Sequence, residues 1–194
     1  MPGPHGSILS QANYAFAGFG IVTTYQNVAI DIVIQIADAV RYIAAQGLVH
    51  RDIKPSNFMI DHEGKLKLAD FGIAASLAST TMTFTSQSVM GAGTPLYMSP
   101  QQLDGERPKV TDDIYSVGAT FYELLTSRPP FYQGNIAEDV LYTPATPIRE
   151  RLQELGLHND LPENVEAMIM ACLNKDPASR PQSANEIKEW IKTS

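Results

Sequence analysis

The chain has 194 residues, 44% of them hydrophobic and 18% charged, with 14 Lys and Arg against 21 Asp and Glu. That length suits one domain of roughly 100–200 residues with its own core, and ordinary hydrophobic content with a net charge of −7 excludes a disordered chain. The acidic balance offers no basic field for nucleic acid, and the lone Cys172 excludes an internal disulfide framework and suits a reducing, cytoplasmic compartment.

Residues 1–27 hold Gly3, Gly6, Gly18 and Gly20 with few charges and no clean periodicity, and read as an irregular N-terminal arm. Its first seven residues lack the basic start and apolar stretch of a signal peptide. From Ala29 onward Ile32, Ile36, Val40 and Ile43 recur at helical spacing, with Ile30, Val33, Ile34 and Ala37 filling in. This predicts a helix apolar on most sides, ending at Gly47. Asp31, Gln35 and Asp38 interrupt the apolar run, so it is not a membrane span. Two short strands follow at 58–60 and 65–68, joined by the turn-forming Asp61-His62-Glu63-Gly64.

The Ser/Thr-rich stretch 74–99 reads as a loop. Ile114, Val117, Gly118, Phe121, Leu124 and Leu125 mark a second, mostly apolar helix that ends at Arg128-Pro129-Pro130. An amphipathic helix is expected from near Pro162, with Val165, Met168, Ile169, Cys172 and Leu173 on one stripe. A last helix should follow Ser183, whose spacing to Glu186 matches a capping box. Between them, residues 149–155 suit a short helix and 144–147 a loop. The pattern is mainly helical with one small hairpin.

Chemistry concentrates around that hairpin. His50-Arg51-Asp52-Ile53-Lys54-Pro55-Ser56-Asn57 precedes it, and Asp70-Phe71-Gly72 follows it. In this order the two segments resemble the catalytic loop and metal-binding motif of eukaryotic-type protein kinases, in their large C-terminal lobe. Gly93-Thr94-Pro95-Leu96-Tyr97-Met98-Ser99-Pro100 resembles the family's substrate-receiving segment, in a style close to bacterial Ser/Thr kinases. The resemblance covers residues 28–194 and implies a helical large-lobe fold without the five-stranded small lobe.

It also implies roles. Phosphoryl transfer asks a protein mainly for positioning and charge neutralisation. Asp52 would orient or accept the proton of the attacking hydroxyl, and Lys54 would steady the transferring phosphate. Asn57 and Asp70 would supply hard oxygen ligands for Mg²⁺. Met59 would contribute to the adenine floor of an ATP site, and Thr94 would hydrogen-bond Asp52 and Lys54. Tyr97 belongs to the substrate segment, His50 and Phe71 to packing spines, and Asp113 should brace the catalytic-loop backbone. Arg51 beside Asp52 is the residue that draws an activation-loop phosphate in kinases with this pair, and residues 76–88 offer several Ser and Thr acceptors.

Two departures qualify the match. Ser99-Pro100-Gln101 stands where the family has Ala-Pro-Glu, so Arg180, the expected partner of that Glu, keeps a hydrogen bond but loses a countercharge. No Lys precedes Lys54 and no Glu precedes Glu63, so the small lobe's Lys–Glu pair has no counterpart here. Gly18-Phe19-Gly20 reads as a turn rather than a nucleotide loop, since Thr23 occupies the third glycine's place. The expectation is a Ser/Thr kinase lobe with an incomplete site for ATP and Mg²⁺, inactive or weak unless a small lobe or a second copy completes it. A surface around Met59 should then be exposed for such a partner. The rival reading is a non-catalytic, kinase-like binding module. Protein substrates are implied; nucleic acid and membranes are not.

Overall fold

The computed structural model describes residues 22–69, 75–76, 95–157 and 161–192, and the side chains of residues 30–69, 95–157 and 161–192. The first described element is α1 (Val22–Ala45). Its core stripe is the one the periodicity marks, with Ile32, Val33, Ile36, Ala37, Val40 and Ile43 all buried. The helix begins ahead of the Ala29 start expected from sequence, because Thr23, Thr24, Gln26 and Asn27 carry no apolar repeat to announce it. It ends at Gly47, left-handed at φ 69°, whose amide donates to the Ala44 carbonyl at 2.9 Å.

Strand β1 (Leu48–Val49) follows. The expected hairpin forms from β2 (Phe58–Ile60) and β3 (Leu66–Leu68), with Phe58 opposite Leu68 and Ile60 opposite Leu66. Asp61 builds its turn by accepting the amides of Glu63 at 3.0 Å and Lys65 at 2.9 Å. Gln35 of α1 fastens the hairpin down, accepting the Leu66 amide at 2.8 Å. Within the stretch read as loop, β4 (Ala75–Ser76) pairs antiparallel with β1. Strands this short leave no periodic signal.

The remaining elements are helical: α2 (Pro100–Leu103), α3 (Val110–Thr126), α4 (Ile136–Tyr142), α5 (Ile148–Glu154), α6 (Glu163–Cys172) and α7 (Ala184–Lys192). Helix α3 is the axis of the fold. Every residue from Thr111 to Thr126 is buried, and α1, α5 and α6 pack around it while α7 lies against α1 and α6. Gly118 permits the α3–α6 approach, because a Cβ there would stand 2.6 Å from the Cys172 Cβ. The α6 stripe is buried as expected. At α7 only half of the expected capping box forms: Ser183 Oγ accepts the Glu186 amide at 3.3 Å, but the Glu186 carboxylate reaches the Gln182 amide instead, at 2.9 Å. Helices α2 and α4 were not foreseen; four and seven residues are too few for a helical repeat to register. The sheets among the described residues are two-stranded, so the architecture is mainly α with a short hairpin.

Candidate active site

The loop between β1 and β2 is set by α3. Asp113, in the helix's first turn and 2% exposed, accepts the amides of His50 and Arg51, each at 2.8 Å. Burial pushes its carboxyl up to about 7, against the opposing pull of those two amides. Arg51 sits at φ 70°, a left-handed conformation that a non-glycine residue keeps only when its surroundings fix it. His50 is fully buried, and its Nδ1 accepts the Asp52 amide at 3.3 Å.

Beyond Arg51 the loop turns Asp52 toward two donors. Lys54 Nζ lies 2.8 Å from Asp52 Oδ2, and Asn57 Nδ2 donates to the same oxygen at 2.8 Å. Asn57 Nδ2 also donates to the Asp52 main-chain carbonyl at 2.7 Å, so Asp52 is held by side chain and backbone together. Pro55 starts the one-turn 3₁₀ segment Pro55–Asn57 that brings Asn57 back over Asp52. Asp52 and Lys54 remain partly open to solvent, at 22% and 29%, as a site that admits substrate requires. With Nδ2 committed to Asp52, the Asn57 amide oxygen points along the other branch. It is a hard oxygen of the kind Mg²⁺ takes, and so fits the expected group.

The Asn57 carbonyl accepts the Ala69 amide at 2.8 Å, which ties the end of the hairpin to the loop. Asp70, Phe71 and Thr94 lie outside the described residues. Among the described residues no cluster of three or more His, Cys, Asp or Glu side chains could hold a metal ion unaided. Met59 is half exposed on the outer face of the hairpin, across from Lys67, while Phe58 turns inward. Among the hairpin's apolar side chains Met59 is the exposed one: Phe58 is buried, and Ile60, Leu66 and Leu68 are partly buried against the core.

The segment after residue 94 rests on α3 as well. Tyr97 donates its hydroxyl to the Glu123 carboxylate, and Ser116 Oγ donates to the Tyr97 carbonyl at 2.7 Å. Burial, reinforced by Glu123, drives the Tyr97 hydroxyl pKa upward, and burial likewise raises Glu123. Arg180 is 3% exposed. It donates to the carbonyls of Asn174 at 2.7 Å, Thr111 at 2.9 Å and Lys175 at 2.9 Å, and to Gln101 Oε1 at 2.6 Å. Its guanidinium stands over the Tyr115 ring at 5.1 Å. Burial lowers its pKa, with Asp112 the foremost opposing charge. Gln101 thus keeps the hydrogen bond expected of it, and Asp112 supplies in part the compensation its neutral amide lacks.

Sequence reasoning gave Gln102, Ser99 and Asp112 no part in joining the loop to the segment after residue 94, which they do. The signal was available: Ser-x-x-Gln at 99–102 is a capping box, and both of its hydrogen bonds form, at 3.1 Å each.

With the loop, hairpin and central helix arranged in this way, comparison with known proteins settles the family. The protein kinase domain model matches residues 19–191, and the chain belongs to the protein kinase family. It is similar to bacterial serine/threonine kinases: it is 39% identical over 168 residues to the serine/threonine-protein kinase PrkC of Bacillus subtilis, covering 85% of this chain and 24% of that protein. It is also 36% identical over 165 residues to the serine/threonine-protein kinase PknB of Mycolicibacterium smegmatis, covering 82% of this chain and 25% of that protein. The chain spans about a quarter of the length of these curated relatives. The family uses ATP and Mg²⁺. No described helix is long and apolar enough to cross a membrane.

Proposed function

We propose that this chain supplies the catalytic loop for phosphoryl transfer from ATP to a Ser or Thr hydroxyl of a protein substrate. The observation that carries the reading is the Asp52 carboxylate, held at 2.8 Å by both Lys54 and Asn57 on a loop whose backbone hangs from Asp113.

Asp52 Oδ1 is the acceptor toward which the attacking hydroxyl turns its proton. Lys54, already beside Asp52, has two further N–H groups for the transferring phosphate's oxygens. Asn57 fixes the angle of Asp52 and, with Asp70, would hold Mg²⁺, which neutralises phosphate charge when bound. Met59 presents a half-exposed apolar surface for the adenine ring. Tyr97 and Thr94 belong to the segment that receives the substrate. Arg51 would take up an activation-loop phosphate, and His50 and Phe71 would belong to the packing spines. The fixing of ATP's α- and β-phosphates falls to a small lobe, joined to this sequence or docked onto it, since no Lys precedes Lys54. A second copy of the chain is an alternative source of contacts at that face. A reducing cytoplasm suits Cys172, the lone thiol, which is buried and pushed up to about 12.

The test is transfer of labelled γ-phosphate from Mg–ATP to a generic protein substrate, followed by phosphoamino-acid analysis. Label on Ser or Thr and none on Tyr is expected. Absence of Mg²⁺-dependent label at any chain concentration, with or without an added small lobe, would favour the binding module instead.

A further inference from the structure

Gln102 is almost fully buried, yet both ends of its side-chain amide are engaged. Nε2 donates to the Arg51 carbonyl at 3.0 Å, and Oε1 accepts the Ser99 amide at 3.1 Å. The Gln102 amide donates to Ser99 Oγ at 3.1 Å, and that hydroxyl donates to Asp112 Oδ1 at 2.7 Å. Asp113, the next residue, closes a ring by accepting the Arg51 amide at 2.8 Å. Arg51 is therefore gripped from both sides: its N–H by α3 and its C=O by α2. Its left-handed backbone needs such a grip, and Asp52 is the residue it delivers.

We propose that Gln102 is a positioning residue that locks Arg51, and through it Asp52, to the substrate segment ending at Ser99, so that base and substrate segment move as one body. The alternative, a buried polar group that merely stabilises the fold, would not single out these partners. Among the described residues, the one side-chain bond of Gln102 that leaves its own turn goes to the residue preceding Asp52. The effect on turnover rests on the phosphotransferase reading; the effect on the loop does not.

Three variants of the full chain separate the cases. Gln102→Leu removes both ends of the clamp at nearly constant volume. Gln102→Glu keeps the acceptor for the Ser99 amide and loses the donor to Arg51. Thr126→Val removes a buried hydrogen bond, 2.9 Å to the Tyr122 carbonyl, at the far end of α3 and serves as the stability control. Amide hydrogen exchange at His50 and Arg51 should quicken about tenfold in Gln102→Leu and stay unchanged in Thr126→Val. For transfer, kcat should fall about tenfold or more in both Gln102 variants, since a shift of about 1 Å in a reacting group costs on the order of 100-fold. KM for the protein substrate should rise only in Gln102→Leu, where the Ser99 anchor is also lost. Unchanged exchange at His50 and Arg51 in Gln102→Leu would overturn the proposal, whether or not the chain transfers phosphate. So would a Thr126→Val variant that matches Gln102→Leu in exchange and kcat. A wild-type chain that transfers nothing even with a small lobe added would refute the kinase reading alone, with exchange still deciding the role of Gln102.

Discussion

Replacing Gly118 by Ala tests the closest approach in the core. An ideal Cβ at 118 meets the Cys172 Cβ at 2.6 Å and Leu173 Cγ at 3.4 Å. Carbon atoms prefer 3.5–4.0 Å, so α3 and α6 must part by about 1 Å or bend locally. Overpacking of this kind costs about 1–3 kcal/mol. Against it, Ala gains up to about 1 kcal/mol over Gly in a helix interior. The net expectation is a loss of about 1–2 kcal/mol, or a Tm lower by about 4 °C for a chain of this size. Urea and thermal unfolding, followed by circular dichroism and by the single Trp190, would measure it. Cys172→Gly removes the offending atom, so the double variant should be more stable than the sum of the two singles by about 1 kcal/mol or more. A Gly118→Ala chain as stable as wild type or more so, the usual result at an exposed helical glycine, would refute the packing argument.

Other outcomes follow from the buried polar groups. Asp113→Asn turns an N–H donor toward one of the two backbone amides that the carboxylate accepts, and should cost about 1–3 kcal/mol. Because burial raises the folded Asp113 carboxyl from the ordinary carboxylate range to about 7, its folded form holds a proton that the unfolded chain releases; wild-type stability relative to Asp113→Asn should fall as pH rises from about 4 to 7 and level off above that, as unfolding at stepped pH would show. Gln101→Glu places a carboxylate against Arg180 and should raise stability by about 1 kcal/mol in urea titration, whereas Arg180→Met takes a donor from the Asn174 and Thr111 carbonyls, leaves the Lys175 carbonyl to Gln101 Nε2, and should lower it by about 3 kcal/mol.

Helices long enough to repeat their apolar positions were legible in the sequence. Ile32, Ile36 and Val40 marked the buried face of α1, and the Gly47 stop was readable because only its left-handed backbone ends the helix there. The hairpin was legible through Asp61 and Gly64. Elements of two to seven residues were not, since β1, β4, α2 and α4 owe their existence to tertiary partners rather than to local pattern. Within the site, Asp52, Lys54 and Asn57 stood out because they fall within six consecutive residues of one motif. The Ser99–Gln102 capping box was readable, but the bond from Gln102 to Arg51 was not, because that partner lies 51 positions away. Strand alternation turns Phe58 inward and Met59 outward across from Lys67, a distinction the motif alone did not draw.

The most direct trial of Asp52 as the proton acceptor compares wild type with Asp52→Asn in Mg–ATP-dependent transfer to a protein substrate, with a small lobe supplied so that wild type transfers, at matched folding by circular dichroism. Asn keeps the shape but cannot take a proton, and its amide NH₂ or carbonyl must face Lys54 and Asn57 without charge. General-base catalysis contributes about 10²–10⁴-fold, so the transfer rate should drop by at least about 100-fold with nucleotide binding retained. Equal rates from the two chains would contradict the assignment of Asp52.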